Sequence, residues 1–195
     1  MSVFGRNRAP ASVRARLESD ERVLAWGIVA GSPPRTDAES TATDTAGAAT
    51  DGARYIVATN LGLWWPDEPP RRIPWHLIMR ATWSERGLTV IEADIVDDLL
   101  LVERSPQVAP LVTEGKIPPQ VRKRVEGSIS TTHEVRLDDG PAMVIARRIT
   151  GRDGQLWLAR LGPRTPDTER VRAQLRALVD RFRADDEARR EALLR

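Results

Sequence analysis

Tyr55-Ile56-Val57-Ala58-Thr59-Asn60-Leu61-Gly62-Leu63-Trp64-Trp65 is the stretch on which the fold turns. Two runs rich in β-branched and aromatic residues flank Asn60-Leu61-Gly62, and Asn and Gly tolerate the positive φ of a tight reversal. The stretch predicts a β-hairpin. Upstream, residues 22–29 form one more apolar extended run. Downstream, Pro66 to Pro70 turns the chain, and strands are expected at 71–73, 77–83, 88–92 and 99–102. Gly87 and Asp97-Asp98 mark the reversals between them. Short strands at this density make a meander, so the region reads as an antiparallel sheet or barrel.

Beyond it the pattern changes. Pro106, Pro110, Pro118 and Pro119 break the chain over 104–120. Pro119 can open a short helix over Val121 and Val125, with Gly127 stopping it. Ile129, Thr131, His133, Val135 and Leu137 alternate with polar neighbours as a half-buried strand does, and further strands are expected at 143–146 and 155–159. The last element is a helix over 166–192, with Thr165 as N-cap and Pro166 in its first turn. Val171, Leu175, Leu178, Val179 and Phe182 lie on one stripe of that helix, which must be covered, most simply over the open end of a barrel. Residues 1–19 read as a basic arm carrying Arg6, Arg8, Arg14 and Arg16, and the Gly, Ser, Thr, Ala, Pro and Asp-rich segment 31–53 as a mobile loop. The organisation expected is therefore an arm at 1–19, the meander at 20–103, a proline-rich insertion with a short helix at 104–128, and further strands and the long helix at 129–195 in the same domain.

Composition narrows the function. The chain has 195 residues and no cysteine, which excludes disulfides, zinc–thiolate sites, iron–sulfur clusters and thiol nucleophiles. The N-terminal residues hold no apolar core of a signal peptide, and no apolar run approaches the ~20 residues that span a bilayer. A soluble cytoplasmic protein is expected. Of 30 basic residues only Lys116 and Lys123 are lysine. The net charge of +2 conceals two halves of opposite sign, −6 over residues 21–103 and +6 over 104–195. Such asymmetry steers a charged partner if exposed, or vanishes if the halves face each other.

The run from Tyr55 to Trp64, followed by Arg72-Ile73-Pro74-Trp75 and a hydrophobic strand, resembles bacterial pleckstrin-homology-like (PH-like) domains. The resemblance covers residues 20–103 and, more loosely, the final helix. It implies a mostly β protein with α (α+β), a PH-like antiparallel β-barrel or sandwich closed by a C-terminal amphipathic helix. Relatives that bind phosphoinositides use a basic first hairpin loop. Here segment 31–53 has Arg35 against Asp37, Glu39, Asp44 and Asp51, which would repel an anionic headgroup. Phosphoinositide membrane binding is thus disfavoured.

No nucleotide-binding, hydrolase or metalloprotease motif occurs, and no catalytic residue, metal ligand or cofactor is assigned. His76 has no nearby carboxylate in sequence to orient it, and His133 reads as a core-edge imidazole. Glu92, Asp94, Asp97 and Asp98 read as a solvated turn rather than an ion site, because Ile95, Val96 and the reversal spoil the ligand register. The candidate contact residues are Trp64 and Trp65, which point to opposite faces of a strand, and the basic residues Arg122, Lys123, Arg124, Arg147 and Arg148. The expected function is a non-enzymatic protein-interaction module, PH-like, with an unnamed protein partner. An arginine-rich nucleic-acid or ribosome binder, with Trp157 available for stacking, and a small-ligand barrel or enzyme are the alternatives.

Overall fold

The hairpin forms where the sequence places it, with β2 (Tyr55–Thr59) and β3 (Gly62–Trp65) pairing Val57 with Trp64 and Ala58 with Leu63. A computed structural model describes residues 9, 11–31, 54–112 and 115–194. The expected loop at 32–53, and Arg6 and Arg8 of the basic arm, lie outside the described residues. The reversal is locked by Thr59, whose Oγ1 accepts the backbone N–H of Leu61 (3.2 Å) and Gly62 (3.1 Å). The same hydroxyl donates to buried Glu21 at 2.6 Å, tying the hairpin to the segment before β1 (Val23–Ile28). With β4 (Arg71–Pro74) these strands make a four-stranded antiparallel sheet in sequential order.

A short 3₁₀ turn, Trp75–Leu77, swings the chain into a second sheet. It begins with β5 (Ile78–Ser84), β6 (Gly87–Val96) and β7 (Leu100–Glu103). Strand β6 runs on beyond the expected 88–92 because its two halves have different partners. Its first half pairs with β5 and β8 (Gln107–Ala109), its second with β7. The sheet curls at this strand. Strand β8 lay inside what the sequence read as an irregular connection: Pro106 and Pro110 frame it, and only three residues pair. Gly87 sits at φ +110° against it, and a Cβ there would fall 2.3 Å from the Ala109 carbonyl oxygen, so no larger residue fits.

The second half extends this sheet rather than building its own. Strands β9 (Ile129–Leu137), β10 (Gly140–Arg147) and β11 (Leu156–Leu161) form an antiparallel unit. Strand β11 joins β7 at Ala159 and Leu100 in the one parallel pairing among the described strands. The molecule is mostly β, with a curled second sheet and a C-terminal helix.

Besides one N-terminal turn, α1 (Ala11–Arg14), two helices cover these sheets. In α2 (Ile117–Ser128), buried Ile117, Val121 and Val125 repeat at i, i+4 and i+8 and enter the core lined by Ile56, Leu63, Ile73, Trp75 and Ile78. The helix opens at Ile117 rather than Pro119, since prolines in a first turn forgo N–H groups that have no intrahelical partner. It passes through Gly127 and ends at Ser128, whose Oγ donates to the Val125 carbonyl at 2.7 Å. Helix α3 (Glu169–Leu193) packs on β10 and β11, where Val171, Leu175 and Val179 are buried with Leu100, Val144 and Trp157. Its N-cap is Thr168, accepting the Val171 N–H at 3.3 Å, rather than Thr165. Thr165 instead donates to the Pro141 carbonyl at 2.7 Å and holds the connection onto β10. Among the described residues, no helix is long and apolar enough to cross a membrane.

Candidate functional site

Strand β10 ends at Arg147, and the chain then leaves the sheet through a loop with Gly151 (φ +80°) and Gly154 (φ +88°) before re-entering at β11. The backbone N–H of Arg148 donates to the Ser128 carbonyl at 2.7 Å, fastening the start of this loop to the end of α2. Lys123, Arg124, Gly127 and Ser128 share a face of α2 by their i, i+3, i+4 spacing and look onto the loop. The far end of α3 closes the third side with Arg190. The result is an open cleft of about 760 Å³.

Its lining is strongly cationic. Lys123, Arg124, Arg148, Arg152 and Arg190 face it, against Asp153 as the one carboxylate among the lining residues. Arg190 pairs with Asp186 at 2.8 Å, while the other four meet no carboxylate among the described residues. Thr150 and Gln155 add polar walls, and Trp75, 2 % exposed, lies at the base with its N–H donated to the Thr59 carbonyl.

Behind the wall is a sixth cation. Arg147 is 1 % exposed, and its Nη1 donates to Ser128 Oγ at 2.8 Å. No carboxylate neutralises it among the described residues, and burial pushes the guanidinium below its ordinary pKa. Three buried polar atoms have no hydrogen-bond partner here: Nε of Arg147, Nε of Arg124 and Oε1 of Gln155. Nearby His76 is held below the ordinary imidazole value, first by burial and then by the positive charges of Arg147 and Arg152. The electrostatic character of the site therefore reaches beyond the residues that line it.

The sequence candidates divide between this cleft and the rest of the protein. Lys123, Arg124 and Arg148 line it, and Arg147 stands behind it. Arg122 points elsewhere and pairs with Glu126 at 2.8 Å. The two adjacent tryptophans do face opposite ways. Trp65 is in the core at 4 % exposure, and half-buried Trp64 donates its N–H to Glu21 at 2.9 Å. Trp65 is thus enclosed, whereas Trp64 lines a separate pocket with Val13 and Tyr55. Trp157, considered for stacking, is buried under α3, and His133 lies flat on Phe182 with ring centroids 4.1 Å apart.

The acidic run is not one solvated turn. Glu92 is buried, its two oxygens accepting from Arg71 at 2.9 and 2.7 Å. Only Asp97 and Asp98, at φ 52° and 53°, make the turn. Among the described residues no group of His, Asp or Glu side chains has the arrangement of a metal site.

Arg152 is legible in the sequence as a basic neighbour of Arg147 and Arg148, whereas Arg190 and Gln155 were missed as members of one site with Lys123. The usable signal was two glycines flanked by arginines in 147–154, the composition of a loop that presents cations. Chemically, the cleft offers fork-shaped guanidinium donors beside the Lys123 ammonium. The Ser128 hydroxyl is engaged with Arg147 and the Val125 carbonyl. Comparison with family models, with curated proteins and with solved structures gave no match to this chain.

Proposed function

We propose that this protein is a cytoplasmic, non-enzymatic interaction module of PH-like build whose recognition site is the basic cleft and whose partner is anionic. One observation carries the reading. Four of the five cations lining the cleft have no carboxylate partner among the described residues and face one volume, whereas Arg71, Arg72, Arg104, Arg160, Arg170 and Arg172 each meet a carboxylate and the unpaired Arg80 and Arg136 line separate pockets. Arginines packed together without counter-ions repel one another, and an arriving anion relieves that repulsion. Recognition fits a wall of donors in which the hydroxyl of Ser128 is already engaged with Arg147 and the Val125 carbonyl. The curled sheet and C-terminal helix support the PH-like reading, although the cleft lies outside the hairpin region that carries the resemblance.

Retention on immobilised heparin, a generic polyanion, tests this. The double variant Arg148→Glu/Arg152→Glu should elute at clearly lower salt than Arg80→Glu/Arg136→Glu, which makes the same charge change at exposed positions outside the cleft. Equal shifts for the two variants would show that net charge, not the cleft, holds the anion.

A further inference from the structure

We infer that the ligand of the basic cleft is a short polyphosphate group, either free or as the tail of a nucleotide; this rests on the reading of the cleft as an anion-recognition site. The inference comes from how the charge is distributed in space. Five cations face Asp153 and the Arg190-bound Asp186, which leaves three charges uncompensated within about 760 Å³. A single carboxylate or orthophosphate could not neutralise them. A chain of phosphoryl groups concentrates three or four negative charges in such a volume and presents many acceptors to guanidinium forks.

The buried groups agree with this. Arg147 is a permanent cation in the wall with no counter-ion among the described residues, and its Nε is unpartnered. A buried uncompensated charge is costly, so a protein that keeps one has placed positive potential where a multiply charged anion can use it. Arg124, on the cleft surface, also holds a buried Nε without a partner.

A long polyanion is a poorer match. Several arginines outside the cleft are paired: Arg122 with Glu126, Arg160 with Glu103, Arg170 with Asp139 and Arg172 with Asp167. The four unpaired cations of the cleft face a single pocket, a shape that suits a compact anion better than an extended nucleic-acid backbone. Nor is there a platform for bases, because Trp75, the one aromatic lining the cleft, is almost wholly covered.

Isothermal titration of the full chain at physiological salt is the test, with sodium tripolyphosphate, orthophosphate, ATP, hexaglutamate and a single-stranded oligonucleotide as probes. Tripolyphosphate should bind more than about tenfold tighter than orthophosphate, because chelated phosphates engage several forks together. Arg148→Ala/Arg152→Ala should weaken it by a similar factor, with unchanged circular dichroism, and Arg80→Ala/Arg136→Ala should not. ATP binding as tightly as tripolyphosphate would place the chain on a nucleotide, and weaker ATP binding would place it free in solution. Both results uphold the inference. Tighter cleft-dependent binding of hexaglutamate or the oligonucleotide overturns it while leaving the anion-recognition reading intact. If none of the five probes binds, or binding ignores the cleft substitutions, both fall.

Discussion

Arg147 is the residue at which local rules are broken. It is buried at the end of β10, next to Ala146 in the core, and its guanidinium has Ser128 Oγ as its one short hydrogen-bond acceptor. Contrast Glu21, equally buried, which accepts from Thr59 Oγ1, Trp64 Nε1 and Arg72 Nη1 and so has its charge and lone pairs satisfied. A satisfied buried charge holds the fold together, whereas an unsatisfied one weighs against it. Arg147→Met, which keeps length and volume while removing the charge, should therefore stabilise the protein by about 1 kcal/mol or more. The same change should weaken anion binding at the cleft. Urea denaturation together with the tripolyphosphate titration measures both; a destabilised Arg147→Met would mean that the guanidinium is a structural strut. That Arg147 is basic was legible in the sequence. That it is buried was not, since strand alternation alone gives no warning that both faces of β10 are covered near its end.

At the scale of elements, α3 shows how a correct pattern can carry a misplaced boundary. The stripe from Val171 to Phe182 follows from 3.6-residue periodicity, and the helix is where it was expected. Its start is not, because two threonines three residues apart both offer a cap. Tertiary contact decided between them: Thr165 is drawn to the Pro141 carbonyl, leaving Thr168 to accept the Val171 N–H. Thr168→Ala should lower stability by about 1 kcal/mol with an unchanged m-value. Thr165→Ala should also destabilise, but through the loop, so helix content near the melting midpoint separates the two. Strand β8 escaped for a different reason. Three residues between prolines carry too little pattern, and the pairing with β6 that makes them a strand is remote in sequence.

At the scale of the whole molecule, the opposed charges of the two halves are partly consumed where the halves meet. Arg104 pairs with Glu92 and Asp94, Arg160 with Glu103, and Arg172 with Asp97, each joining the basic half to the acidic one. What remains unpaired includes the cluster in the cleft. The pH profile of stability should show this arrangement. His76 is held below its ordinary value, so between that value and its folded pKa the unfolded chain binds more protons than the folded one. Stability should then fall as pH drops below about 6.5, and His76→Gln should remove that part of the slope. Asp94 and Asp167 are held below the usual carboxylate range by hydrogen bonds from Arg104 and Arg172. Their contribution is present above about pH 4 and lost as pH falls further, giving a second decline. Tripolyphosphate should raise the His76 pKa by offsetting the neighbouring arginines, visible as a shifted imidazole resonance by NMR. An unmoved resonance at saturation would separate His76 from the cleft.

The sequence by itself determined the mostly β class, the hairpin at 55–65, the two covering helices and the absence of thiol chemistry. Each rests on short-range physics: alternation, turn residues, helical periodicity and composition. Only the tertiary structure decided that α2 packs against β1 and β2 of the first sheet and β5 of the second while α3 covers β10 and β11, and that β11 joins β7 in parallel. It also decided which cations are neutralised and which converge. Pairing across dozens of residues depends on how the sheets curl, and no local pattern encodes that.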